Sequence, residues 1–432
     1  MATQAEPRLT GEEALAIIDP ANYVDWDGLL DRFDKLRSET PVVRVVNDEL
    51  HDPFWLVTSY DDVMRVSKDN KLFLNSPRSV TFSDKNSNAF VKSITGGDPN
   101  LVRSLVALDA PTHPAYRRLT QDWFMPKNIR KMEDEIRALA KTTVDRLVGA
   151  GGEADFVPLV SAPYPLHVVM QILGVPEADE QRMLFLTQQM FGGQDEDLNK
   201  SGMANMTPEQ IMQLVVGAVA DFEAYFAKLT EEKRANPTED VASVIANAKV
   251  DGEHLSDRDM AGYYIILAAA GHDTTSASTA GAMLALARDP EQFARLKADR
   301  DLLPGIVEEA IRWTTPVQHF MRTAAEDTEL GGQKIAKDDW LMISYIAANH
   351  DESVFPDSRK FDASRSPNRH IAFGAGSHQC LGLHMARMEM KILFNELLDR
   401  IDTLELAGEP VRAKSTFVGG LKTLPIRYTL SK

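Results

Sequence analysis

The sequence predicts a mainly α protein with a minor β region contributed by both ends of the chain. Three observations carry this. Residues 60–310 are dominated by helical patterning, in stretches such as DWFMPKNIRKMEDEIRALAKTTVDRLV and PEQFARLKADRDLLPGIVEEAIRW. Short β-branched and aromatic runs lie on either side of it. No internal repeat or low-complexity linker divides the chain. A single domain over residues 1–432, with 1–20 as a flexible N-terminal segment, is the simplest organisation.

Taken in order, VVRVVN (42–47) and FWLVT (54–58) read as two strands around a DELHDP turn. Further strands are expected near 319–323, 328–331 and 340–346, and again after 415. Residues 256–289, SDRDMAGYYIILAAAGHDTTSASTAGAMLALARD, read as one long helix opened by a Ser256/Asp259 capping box. At the usual rise per residue it would run on the order of 50 Å, crossing the domain and so largely buried. Asp289 followed by Pro290 is an N-cap with the favoured first-turn proline.

With 432 residues, 44% of them apolar, the chain can bury a sizeable core. Its net charge of −17 argues against DNA or an anionic membrane as a primary partner. The N-terminus lacks a basic stretch followed by an apolar one, and eighteen apolar residues never run together, so neither a secretory signal nor a membrane span is expected. A single cysteine rules out internal disulfides and fits a reducing, cytoplasmic setting.

That cysteine, Cys380, follows a glycine-bearing loop and precedes LHMARMEMKILFNELLDRI, whose apolar positions recur at helical spacing. The unpaired N–H groups and positive dipole end at a helix start lower a thiol pKa. Glycines let the loop backbone approach a flat cofactor. On these grounds alone a buried structural cysteine remains open. A zinc site built on His378, Cys380 and His384 lacks a convincing fourth ligand.

The second unusual segment is Gly271, His272, Asp273, Thr274, Thr275 and Ser276, a polar break inside an apolar helix. Buried polar groups cost free energy unless bonded. Thr274 can donate back to the Ala270 carbonyl and loosen the helix there. Packing of a serine- and threonine-rich helix against a neighbour explains the segment equally well.

The order Phe373, Gly374, Ala375, Gly376, Ser377, His378, Gln379, Cys380, Leu381, Gly382 decides between these readings. It resembles the haem-binding loop of the cytochrome P-450 superfamily: Phe, Gly, any, Gly, any, basic, any, Cys, aliphatic, Gly. Every constrained position is filled, and the resemblance extends over essentially residues 20–430. It implies a triangular helical prism with haem b (iron protoporphyrin IX) between the long central helix and the cysteine helix. Cys380 would then be the iron ligand, with Phe373 and Gly374 against the cofactor. Ala270–Thr275 resembles the family's oxygen-activation motif, which implies that Thr274 orients oxygen and water and that Asp273 delivers protons. His113, Arg117, Arg322 and His378 match its propionate partners. Glu309, Arg312 and Arg365 match its structural network behind the haem. Ala348-Asn349-His350-Asp351 is a mild departure from a stretch that often reads Ala-Asn-Arg-Asp.

The same resemblance implies pocket positions Ile266, Ala269, Ala270, Phe320, Phe417 and Val418, and a mobile substrate loop over 80–105. Apolar walls suggest a small hydrophobic substrate. Several stretches, among them YPLHVVMQILGVPE and EEAIRWTTPV, look like the bacterial α-terpineol hydroxylase branch, which implies a terpenoid or aromatic hydrocarbon. The implied reaction is RH + O2 + two electrons + two protons giving ROH + water. No G-x-G-x-x-G motif follows a strand, so electrons are expected from an external iron–sulfur ferredoxin and its reductase. Their docking is expected on a basic patch of Arg118, Lys127, Arg130, Lys131 and Arg387. A peroxide-driven peroxygenase is the nearest rival, but those relatives lack the acid–alcohol pair. A haem gas sensor would need no proton relay and usually carries an output domain.

Overall fold

The computed structural model describes residues 6–431 apart from 48, 192–193, 196 and 198–205. Its largest sheet has six strands: β1 (Arg8–Leu9), β2 (Val42–Val45), β3 (Phe54–Val57), β4 (Phe73–Leu74), β5 (His319–Ala324) and β6 (Trp340–Ser344). They lie in the order β1-β2-β3-β6-β5-β4, so segments nearly 300 residues apart are neighbours. The strand period of two sorts the side chains. Val43, Val45, Phe54, Leu56, Trp340 and Met342 enter one apolar cluster. Val42, Trp55, Val57, Leu341 and Ile343 enter another. Every residue of β3 and β6 is therefore buried. β6 ends earlier than the sequence suggests, because Ser344 caps the short helix Tyr345–Asn349 by accepting from the Ala347 N–H.

The described part of the segment 1–20 carries regular structure. β1 pairs in parallel with β2, and the helix Gly11–Ile18 buries Ala14, Ile17 and Ile18. Residues 1–5 lie outside the described residues. The stretch 80–105 also holds structure: a helix Lys85–Ile94, capped by the Asp84 side chain, none of whose residues is buried.

The helices that frame the site are α1 (Thr112–Gln121), α2 (Pro163–Ile172), α3 (Asp257–Ala270), α4 (Asp273–Arg288), α5 (Leu303–Thr314) and α6 (Leu383–Arg400). Their apolar faces join one cluster that runs from Leu105 to Tyr428. The expected continuous helix over 256–289 is two helices. Its start is capped as expected by Ser256, which accepts from the Asp259 N–H. The reciprocal half of the box is absent, because the Asp259 carboxylate instead accepts from Ser256 Oγ and Tyr116 and pairs with Arg103. Asp289 caps the next helix, accepting from Gln292 N–H, with Pro290 at its first position. Among the described residues no single helix is long and apolar enough to cross a membrane.

Candidate active site

A cavity opens between the α3/α4 break on one side and the cysteine loop with α6 on the other. The loop is held by its own backbone: Cys380 N–H donates to Phe373 O (2.8 Å), and Gly374 N–H to Ile371 O (2.8 Å). Replacing either of two of its glycines would strain the backbone. Gly374 and Gly376 have φ of 68° and 76°, the left-handed region. A Cβ on Gly376 would also come within 2.7 Å of the Ser67 carbonyl. The loop presents Phe373, Gly374, His378 and Cys380 to the cavity.

A helix start alone does not make Cys380 a thiolate. Burial pushes the thiol up from its ordinary value, against the pull of the Gly382 and Leu383 N–H groups and of Arg117 and Arg387. Desolvation of the charged sulfur outweighs the dipole that the sequence argument relied on. A coordinated cation reverses that balance, because a metal deprotonates a bound thiol outright.

Around the cavity gather Arg117 and His113 of α1, Arg322 of β5 and His378 of the loop. Neither arginine has a carboxylate partner among the described residues. Arg322 is 4% exposed, and among the described residues its guanidinium donates only to the Met321 carbonyl. The His113 and His378 rings lie 3.9 Å apart, and His113 Nε2 is buried without a partner. Burial and Arg117 push His113 down to about 4. Burial, with His113, Arg322 and Arg117 beside it, pushes His378 down to about 2. Unpaired buried cations are costly. Anionic groups entering here would satisfy all four residues, which is what the two carboxylates of a haem require. Together with a thiol on the same wall, these residues fit that group. The zinc alternative does not stand, since among the described residues no cluster of three His, Cys, Asp or Glu could hold a metal ion.

On the opposite wall, Gly271 and His272 separate α3 from α4. Gly271 is required there because a Cβ would meet Val169 Cγ2 of α2 at 2.2 Å. Thr274 Oγ1 donates to Ala270 O (2.9 Å), the back-bond expected from its position. Its hydrogen is thereby committed, and its oxygen lone pairs remain for a donor in the cavity, which Thr274 lines. The Asp273 side chain is 44% exposed and is not among the residues lining the cavity.

The expected pocket is partly assembled. Ile266 and Ala270, one turn apart on α3, and Phe320, two residues from Arg322 on β5, all line the cavity. Ala269, Phe417 and Val418 do not line it. Ala269 is rotated by one helix position into the core and is 8% exposed. Phe417 meets Phe320 edge to face, with ring centroids 5.5 Å apart. Val418 bridges to Val317, which does line the cavity.

Glu309, Arg312 and Arg365 converge apart from the cavity. The Arg312 guanidinium donates to both Glu309 oxygens (2.8 and 2.7 Å), and both side chains are 0% exposed. Arg365 Nε adds contacts at 3.1 and 3.2 Å. Sequence reasoning missed Asn368, which donates to Glu309 Oε2 (3.0 Å), and Asn349, which ties Ile371 N–H to Thr315. It also missed Glu389. This buried carboxyl, on the cavity wall, accepts from Thr275 Oγ1 (3.1 Å) and is pushed well above its ordinary range by burial. Of the expected basic patch, Arg118, Lys127, Arg130 and Lys131 are exposed. Arg387 is not free: it pairs with Glu308 (2.7 Å) and lies over the Phe373 ring.

Residues 25–430 match the cytochrome P-450 family. The chain is 45% identical over 416 residues to cytochrome P-450-terp of a Pseudomonas species, covering 96% of this chain and 97% of that protein. Linalool 8-monooxygenase of Pseudomonas putida is 32% identical over 396 residues, 92% of this chain and 94% of that one. The crystal structure of CYP108D1 from Novosphingobium aromaticivorans has a TM-score of 0.92 at 64% identity, covering 98% of this chain and 100% of its own. A thiol loop, a cationic cradle and a broken helix thus meet in a chain that matches one family along nearly all its length: it belongs to the cytochrome P-450 family of haem-thiolate monooxygenases, whose cofactor is haem b.

Proposed function

We propose that this monooxygenase hydroxylates a small hydrophobic substrate, a terpenoid or an aromatic hydrocarbon. In this reading Cys380 ligates the iron, and His113, Arg117, Arg322 and His378 hold the propionates. Asp273 and Thr274 deliver protons. When bound, the haem supplies the redox chemistry of oxygen activation. The observation that carries the substrate class is the apolar wall of Ile266, Ala270 and Phe320 beside Thr274. That wall excludes water and offers a polar substrate no partner. The names of two relatives, cytochrome P-450-terp and linalool 8-monooxygenase, point the same way. Terpene alcohols and alkylbenzenes are expected to displace water from the iron and shift the haem spectrum toward high spin, whereas sugars and amino acids leave it unchanged. A shift with the polar set alone would overturn the substrate class.

Electrons come from an iron–sulfur ferredoxin and its reductase. Supporting this are the exposed cations Arg118, Lys127, Arg130 and Lys131, which stand out in a chain of net charge −17. Attraction between such charges and an acidic ferredoxin is screened by salt. Reversing Lys127 and Arg130 to glutamate is expected to slow reduction at low salt. An unchanged rate there would remove the patch from the account.

A further inference from the structure

His272 takes part in no role assigned so far, yet its two ring nitrogens are both spoken for. Nδ1 lies 3.2 Å from the Ala268 carbonyl, which can only accept, so Nδ1 carries a hydrogen. A neutral imidazole then has a bare Nε2. That nitrogen lies 3.1 Å from Asp273 Oδ1. The contact is close but is not a well-aligned hydrogen bond, and Nε2 has no hydrogen-bond partner among the described residues. With His272 1% exposed, a neutral ring would leave the carboxylate 3.1 Å from a buried Nε2 that offers it no hydrogen and no charge. A proton on Nε2 supplies both.

We propose that His272 and Asp273 hold one proton between them as an imidazolium–carboxylate pair, and that His272 is the positioning residue that keeps it next to Thr274. The inference rests on the proton-delivery role read for Asp273 and Thr274. The placement suits a relay across the helix break. The Asp273 side chain is 44% exposed, and Thr274, its neighbour, lines the cavity. A proton moves from Nε2 to Oδ1 and on through water held by Thr274 into the cavity. Solvent reaching Asp273 returns one proton to the pair. Burial opposes a charge on His272, but the adjoining carboxylate raises its pKa above the ordinary value. The imidazolium in turn holds Asp273 low, against burial. Among the described residues, the charged group that faces each member is the other. Against the break itself α2 presents the apolar Val169.

The direct test is nitrogen NMR of the ferrous carbon monoxide holoenzyme with labelled histidine, the His272 signals being those lost in His272→Gln. Both ring nitrogens are expected to be protonated near neutral pH, and Asp273→Asn to leave a neutral ring with hydrogen on Nδ1. In turnover, product formed per O2 is expected to fall as pH rises through the His272 pKa, because the stored proton is then lost. His272→Gln keeps an N–H donor but cannot carry that proton. It is expected to lower product per O2 roughly threefold to tenfold, short of the 10²–10⁴ that a general acid itself contributes, and to flatten the pH profile. A neutral His272 near pH 7 in the wild type overturns the proposal. So does His272→Gln with wild-type coupling and an unaltered profile. A protonated His272 alongside normal coupling in Thr274→Ala would instead count against the relay reading and leave the pair standing.

Discussion

Thr274→Ala is expected to consume oxygen at near the wild-type rate while releasing it mostly as peroxide. The hydroxyl has one hydrogen, committed to Ala270 O at 2.9 Å, so toward the cavity it acts as an acceptor that orders a donor there. Alanine removes that acceptor and leaves the surrounding apolar wall intact. Protons then arrive without order and oxygen leaves half-reduced. Product per O2 is expected to fall by at least about tenfold, a share of the roughly 10²–10⁴ attributed to positioned proton transfer. Parallel measurement of oxygen, peroxide and product checks this. Undiminished product would favour a peroxide-driven enzyme, which needs no such hydroxyl.

Glu309→Ala is expected to have the largest effect on stability. Glu309 accepts from Arg312, Arg365, Asn368 and the Asp362 N–H, and both it and Arg312 are fully buried. Removing the acid strands two guanidinium groups, one of them wholly desolvated. Breaking a buried pair from one side costs about 3–5 kcal/mol, a large part of the roughly 5–15 kcal/mol that holds a native protein together. The Arg312 Nη1 bond to Asn349 O (2.8 Å) and the Asn349 side chain's grip on Ile371 carry the damage to the segment leading into the cysteine loop. Denaturant midpoint and haem content per chain are both expected to drop. A variant with wild-type midpoint would show that the network is dispensable.

Much of the site was legible because its parts are contiguous in sequence. The cysteine loop is ten consecutive residues, and two of its glycines, Gly374 and Gly376, answer to local φ angles. The Thr274 back-bond follows from four-residue helix geometry. Pairs such as Thr275 with Glu389, 114 residues apart, leave no trace in a single sequence. Neither does the donor role that ties Asn368 to Glu309. Burial was the other hidden quantity. It reversed the expected direction for the Cys380 thiol, and it moved Ala269 from the pocket into the core. The sheet from both chain ends was visible as strands, but its order, with β6 between β3 and β5, depends on packing that no local pattern encodes.

In the proposed reading Cys380 binds the haem iron as a thiolate, across the cavity from Thr274. The spectrum of the reduced carbon monoxide complex reports that ligand directly, since a thiolate pushes electron density onto the iron in a way that no neutral ligand does. The wild-type protein is expected to give the thiolate-type band, and Cys380→Ser to lose it while still taking up haem. A thiolate-type band that survives in Cys380→Ser, or that is missing from fully folded wild-type protein, would contradict the account.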